Sequence, residues 1–238
     1  RASSEVSGVP YHINGSEELL DDPRWEGYGV PPESNANYAW IQHMIHHLAP
    51  NGKIGLVLAN GALSTQTGGE GEIRKRIIED DLVEGIVAMP TQLFYSVTIP
   101  VTLWFISKNK KQKGKTLFID ARKMGFMVDR KHRDLSDEDI AKLSDTFTSF
   151  QNGELEDVKG FCAVAATEDI AKQDYILTPG RYVGIAEEEG DGEPFEEKMA
   201  RLTASLSELF KESREHEEEI RKQNPNCEMI MMQEIGRN

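Results

Sequence analysis

YGVPPESNANYAWIQHMIHHLAPNGKIGLVLANGALS, residues 28–64, and GEGEIRKRIIEDDLVEGIVAMPTQLFYSVTIPVTLWFISKNK, residues 69–110, read in order as helix, strand, glycine-rich loop, helix, strand, aromatic turn and strand. Ser34 and Asn35 offer N-caps for a helix that stops at Ala49-Pro50-Asn51-Gly52. Its apolar positions Trp40, Ile41, Met44, Ile45 and Leu48 share one face, which predicts packing against a large surface. The run from Ile54 to Ala59 is continuously apolar, as expected of a strand covered on both sides. A second helix is predicted over about Glu72 to Asp80, burying Ile73, Ile77 and Ile78. Leu82 to Met89 forms the next strand, ended by Pro90, and Val101 to Ser107 forms a third. The connection between these two, residues 90–100, is too short for a helical crossover, so the pair is predicted to be antiparallel.

Outward from this block the signals thin. Residues 1–33 carry scattered Gly, Pro and Ser with no sustained period. Lys108 to Lys115 is a basic, glycine-containing loop, and Thr116 to Asp120 a short further strand. Ser136-Asp137-Glu138-Asp139 approximates a capping box before Ile140, Leu143, Phe147 and Phe150 at helical spacing. Tyr175 to Val183, YILTPGRYV, reads as extended. Phe195, Met199, Leu202, Leu206 and Leu209 alternate by four and three on a highly charged helix, the spacing of a coiled-coil seam. Everything after Pro225 reads as frayed. The organisation expected is 1–125 as an α/β domain portion, 126–186 as a helical and extended extension, and 187–238 as an acidic tail helix.

Composition restricts the function. With 38% hydrophobic and 29% charged residues, the 238-residue chain is lean but globular. It has no apolar run near the roughly 18–20 residues needed to span a bilayer, so no membrane role and a cytoplasmic location are expected. Cys162 and Cys227 stand far apart and in no metal-ligand spacing. The net charge of −14 is awkward for a duplex binder, which should show a basic face. Half of that excess lies between Glu187 and Lys222, where 13 acids face 6 bases. Any contact with DNA therefore draws positive charge from a partner or from a region outside these residues.

The ordered blocks quoted above, with YILTPGRYV and the tail seam, resemble the later part of the modification (M) subunit of type I restriction–modification systems, a DNA adenine-N6 methyltransferase family. The resemblance spans about residues 20 to 222. It implies an α/β fold: the later strands of a Rossmann-like S-adenosylmethionine-dependent methyltransferase sheet, with an antiparallel last pair and a C-terminal helical tail. It further implies transfer of a methyl group from S-adenosylmethionine to adenine in DNA. The partners implied are a specificity (S) subunit and a restriction (R) subunit.

The same resemblance implies an Asn-Pro-Pro-Phe tetrapeptide, whose polar side chain and a backbone carbonyl accept both amino hydrogens of adenine. It would lie shortly before a segment like Asp21-Asp22-Pro23-Arg24-Trp25. That tetrapeptide does not occur in these residues. Gly8-Val9-Pro10-Tyr11 lacks the Asn and first Pro, and Val30-Pro31-Pro32-Glu33 reads as a rigid loop before the first helix. The glycine-rich S-adenosylmethionine loop and the acidic ribose ligand are missing too, so no catalytic residue is assigned and the chain alone is expected to be inactive.

Phe94, with Tyr95 as its substitute, is the candidate for direct substrate contact. A flipped-out adenine needs an aromatic platform, and the resemblance implies one in an F-x-x-x-x-(V/I) setting, matched by Phe94 and Ile99. The alternative is a core Phe that plugs the turn. Asn60-Gly61 closes its strand where α/β ligands collect, although a plain turn is the simpler reading.

Gly68-Gly69-Glu70-Gly71 lacks the Lys-Ser/Thr of a phosphate loop and carries repelling acids, so it reads as a mobile loop that DNA could order. His43, His46 and His47 have zinc-compatible spacing but no further ligand pattern; no metal is expected. Arg74, Lys75, Arg76, Lys110 and Lys111 are phosphate candidates, against the commoner fate of solvated cations. Phe195, Met199, Leu202, Leu206 and Leu209 either fold back on their own domain or dock a helix of another subunit. An assembly module without catalysis is thus the alternative to a methyltransferase.

Overall fold

The computed structural model describes residues 21–32, 34–95, 98–185 and 195–223, and they divide between two units, one within Arg1–Ala186 and one within Glu187–Asn238. In chain order the first contains α1 (Asn37–His47), β1 (Lys53–Ala59), α2 (Glu70–Glu79), β2 (Val83–Ala88), β3 (Val101–Ser107), β4 (Lys115–Asp120), β5 (Phe126–Met127), β6 (Arg133–Asp134), α3 (Asp137–Asn152), β7 (Cys162–Ala166) and α4 (Thr167–Lys172). The second contains α5 (Phe195–Gln223).

Five strands form one sheet in the order β1-β3-β2-β4-β7, and β5 pairs with β6 as a separate small ribbon. β3 runs antiparallel to both β1 and β2, while β2 and β4 are parallel and β7 is antiparallel to β4. The short connection between β2 and β3 is therefore antiparallel, as its length requires. Spacing could not show that β3 would lie between β1 and β2. Those two strands consequently point the same way without touching, joined by the α2 crossover.

Helices cover both faces. On one, Tyr38, Ile41 and Ile45 of α1 and Ile73, Ile77 and Ile78 of α2 pack with Ile54, Leu56, Ile86, Trp104, Ile106 and Phe118. The Trp104 ring meets Tyr38 edge-on with centroids 6.4 Å apart, and its indole N–H donates to the Thr102 hydroxyl at 3.2 Å. On the other face Phe147 and Phe150 of α3 lie in the cluster that holds Val87, Phe105, Leu117 and Ile119. Each fully buried side chain of this size contributes about 1.5–3 kcal/mol.

Several expectations need correction. β1 is covered on one side only: Ile54 and Leu56 are buried, but Val57 is 46% exposed and Gly55 and Ala59 are open. It is an edge strand, paired with β3 alone among the described residues. The buried residues of α1 are Tyr38, Ala39, Ile41, Gln42 and Ile45, leaving Trp40 and Met44 half-buried; the N-cap position is Ala36, and Asn35 Oδ1 accepts the Asn37 N–H at 3.1 Å.

The glycine cluster is no loose loop. Gly68 and Gly69 take φ of 62° and 84°, and α2 starts at once with Glu70, which is buried and accepts the Thr65 hydroxyl at 2.8 Å. Burial pushes that carboxyl above the usual carboxylate range.

Described residues 126–185 belong to the same compact unit as the sheet, while 195–223 fall in the second unit. β7 completes the sheet beside β4, α3 begins with a full Ser136/Asp139 capping box, and the first unit runs to Ala186. The segment expected to be extended turns through a 3₁₀ helix at Pro179–Arg181. Tyr182 there stacks on Phe118 with centroids 3.9 Å apart, and Leu177 and Val183 are buried.

α5 carries Met199, Leu202, Leu206 and Leu209 exposed along it, while the Phe195 side chain lies outside the described residues. So do Gly8–Tyr11, Glu33 and Cys227. No described helix is long and apolar enough to cross a membrane.

Candidate nucleic-acid interface

β1, β2 and β4 run in one direction, so Ala59, Ala88 and Asp120 end on one rim of the sheet. This is the rim where ligands gather in α/β folds. The loops after β2 and β4 and the turn after β1 all belong to it.

In the loop after β2, Gln92 adopts φ of 65°, an uncommon conformation for a side-chain-bearing residue. The chain then presents Phe94 and Tyr95 outward, 46% and 78% exposed. Phe94 is therefore not the plug of the turn; Leu93 packs against the core cluster in that role. Ile99, the other member of the sequence setting, is also exposed.

The ribbon formed by β5 and β6 buttresses this loop, a feature that sequence reading missed. The Tyr95 ring lies flat on the His132 imidazole, 4.1 Å between centroids and 11° between planes. The Arg133 backbone N–H donates to Gln92 O at 2.8 Å. Two strands of two residues each carry almost no apolar pattern, which is why the ribbon escaped notice.

Asn60 opens a 3₁₀ turn, Asn60–Leu63, held where the Tyr38 hydroxyl donates to Ala62 O at 2.7 Å. Its Oδ1 is hidden from solvent and has no hydrogen-bond partner among the described residues. An unmatched buried acceptor is costly, so this atom is a natural place for a donor to arrive.

The predicted phosphate contacts fare differently. Arg74 is 1% exposed, donating from Nε to Tyr175 O at 2.7 Å and from Nη1 to Thr65 O at 2.6 Å. It is a structural tie and is withdrawn as a phosphate candidate. Lys75 lies 5.7 Å from the Tyr175 ring centroid, and Arg76 Nη1 donates to Tyr28 O at 3.0 Å.

Lys110 is withdrawn as well. Its side chain is 1% exposed and its ammonium sits 2.5 Å from Asp81 Oδ1. Burial lowers its pKa, and the Asp81 carboxylate works in the opposite direction. Lys111 is exposed, but the loop carrying it joins the end of β3 to the start of β4. That places it on the opposite rim from Phe94, about 20 Å away along strands of this length.

The histidines of α1 do not converge on a metal. His43 Nδ1 lies 3.0 Å from Arg24 Nη1, and His47 Nδ1 lies 2.8 Å from His43 O. Burial and then the neighbouring His47 and Arg24 lower the His43 pKa. Among the described residues no cluster of three or more His, Cys, Asp or Glu could hold an ion.

A mixed sheet with one antiparallel strand set inside its edge, helices on both faces and a helical tail has the Rossmann-like methyltransferase fold. The chain belongs to the N-6 DNA methylase family, whose model matches residues 4–191. It is 57% identical over 208 residues to the type I restriction enzyme HindI methylase subunit of Haemophilus influenzae, covering 87% of this chain and 47% of that protein. It is 52% identical over 201 residues to the type I restriction enzyme MjaIX methylase subunit of Methanocaldococcus jannaschii, covering 81% and 36%. The chain thus spans about half or less of the length of these relatives.

Among solved structures, the type I restriction-modification system methyltransferase subunit from Streptococcus thermophilus superposes with a TM-score of 0.64 at 31% identity, covering 71% of this chain and 35% of that one. The EcoKI M protein superposes at 0.53 with 20% identity, covering 78% and 45%, a likeness of fold alone.

Family membership implies S-adenosylmethionine as methyl donor of an intact enzyme. Asp120, the carboxylate ending β4, is held by Arg122, whose Nε donates to its Oδ1 at 2.8 Å.

Proposed function

We propose that this chain is the target-base side of a DNA adenine-N6 methyltransferase, the modification subunit of a type I restriction–modification system, acting in the cytoplasm. The observation that carries the reading is Phe94, held half-open at the rim where β2 ends, on a loop braced from behind by Leu93. An adenine swung out of the duplex loses its stacking, and an exposed ring at a strand end restores part of it. Tyr95, already stacked on His132, supports the loop and offers a second flat surface. The unmatched Oδ1 of Asn60 on the same rim suits an amino or amide donor. The donor loop and the Asn-Pro-Pro-Phe tetrapeptide are supplied from outside these residues, so the 238-residue chain alone binds S-adenosylmethionine weakly and does not turn over.

Phe94→Ala in the intact enzyme tests this. Stacking of about 1–3 kcal/mol corresponds to a loss of about tenfold to a hundredfold in methylation. S-adenosylmethionine affinity stays unchanged. Unaltered methylation would remove Phe94 from the site.

A second role rests on a separate observation. Met199, Leu202, Leu206 and Leu209 form an exposed apolar seam on α5. Such a seam pairs with another helix, and we assign it to docking of the specificity subunit, with the restriction subunit joining the same complex. Leu202→Asp with Leu206→Asp should abolish co-purification of the specificity subunit.

A further inference from the structure

The ribbon that buttresses Phe94 and Tyr95 has its own unexplained surface. Between Arg122 and Arg133 there are five Lys or Arg and one Asp, in a chain whose net charge is −14. Several of these groups do internal work. Arg122 is forked onto Asp120. Arg133 Nη1 donates to Met124 O at 3.2 Å and to Gly125 O at 3.0 Å, closing the foot of the ribbon. Asp129 Oδ1 accepts the backbone N–H groups of Lys131 at 2.7 Å and His132 at 2.8 Å, which folds the tip. These two bonds also hold the Asp129 carboxyl below its usual range.

Lys123 adds its charge to that of Arg122 in lowering the Asp120 pKa, which leaves Arg130 and Lys131. Both are exposed at the tip, and neither side chain makes a hydrogen bond or ion pair among the described residues. Beside them Phe126, Met127 and Val128 are exposed as well. A two-stranded ribbon with three bare apolar side chains is not stable by itself in water. It is nevertheless held in place by Arg133 N–H on Gln92 O and by the Tyr95–His132 stack, both on the loop that carries Phe94.

We infer that the ribbon Phe126–Asp134 is a DNA-backbone contact, with Arg130 and Lys131 on the phosphates flanking the base that Phe94 receives. The position of that base rests on the function proposed above; the phosphate contact rests on the local charge. Two free cations at the tip of an ordered, rim-mounted element complement a polyanion. Neither the buried Arg74 and Lys110 nor the far-rim Lys111 can do so from this side. The Tyr95–His132 stack makes the ribbon a positioning element: a shift at the phosphate moves the loop that presents Phe94.

The test is the salt dependence of binding to a fluorescein-labelled duplex DNA, with the intact enzyme carrying Arg130→Ala and Lys131→Ala together. Cationic side chains that neutralise phosphates release counterions, so losing two should reduce the slope of log affinity against log salt by about 1.8. Lys108→Ala with Lys111→Ala, on the opposite rim, should leave the slope unchanged. Phe94→Ala should lower the rate while sparing the slope, so failure of the base reading and failure of the ribbon reading are separately visible. A folded double variant with an unchanged slope overturns the inference, as does one that loses only a protein partner.

Discussion

The carboxylate of Asp139 accepts the backbone N–H of Gly125 at 3.2 Å, while the same oxygen accepts the N–H and hydroxyl of Ser136 at 3.1 and 2.9 Å. One side chain therefore closes the capping box of α3 and pins the foot of the ribbon. Asp139→Ala should accelerate hydrogen exchange at both the Gly125 and Ser136 amides. Ser136→Ala, which removes the acceptor for the Asp139 N–H, should cost about 1 kcal/mol in urea unfolding without freeing Gly125. Equal exchange at Gly125 in wild type and Asp139→Ala would leave Arg133 as the sole anchor.

Gly125 itself has φ of 80°, and a Cβ placed on it would lie 2.6 Å from Asp134 O. Gly114 has φ of 68° but nothing within 4 Å of its Cβ position. Gly114→Ala therefore meets only the left-handed strain, about 1 kcal/mol. Gly125→Ala should cost clearly more in the same denaturant assay, and equal costs would refute the backbone clash.

Burial on the two faces of the sheet differs by strand, and mutagenesis should read that difference. Phe118→Ala removes a fully buried ring together with its stack on Tyr182, for about 3–5 kcal/mol. Val57→Ala on the open face of β1 should fall within about 0.5 kcal/mol of wild type. A large loss at Val57 would mean that its face is covered.

Asp22 gives a pH signature. The Arg24 guanidinium, and then the Arg24 backbone N–H, hold its carboxyl down at about 2 instead of 3.8. Because the folded value lies below the unfolded one, the pairing stabilises fully above pH 4 and fades as pH falls toward 2. A carbon-detected NMR titration should find the Asp22 midpoint near 2, and Arg24→Ala should return it toward 3.8. An unmoved midpoint in the variant would discard the ion pair as cause.

Much of the sheet was legible because its strands are long apolar runs. Val83–Ala88 and Val101–Ser107 could scarcely be anything else, and the distance between them dictated their antiparallel pairing. The capping box of α3 was equally plain. β7 was missed because Cys162–Ala166 is three alanines, a valine and a cysteine, too small to announce a strand. The one-sided burial of β1 depends on strand order, which no local pattern encodes.

The site divides in the same way. Phe94 stands exposed while Leu93 next to it packs against the core, a choice between neighbours that the sequence left open. The fate of the cations was invisible. Arg74 and Lys110 look in sequence like any surface base, and only tertiary neighbours, the Tyr175 carbonyl and the Asp81 carboxylate, draw them inside. Lys111 needed the sheet topology before its rim was known.

β1 has one strand neighbour among the described residues and leaves Val57 facing water. Its outer main-chain donors and acceptors are a template for any extended segment that drifts alongside, including a second copy of the same polypeptide. Concentrated preparations of this chain should be sticky. Co-expression with a polypeptide able to lie against that margin is the rational route to a monodisperse sample.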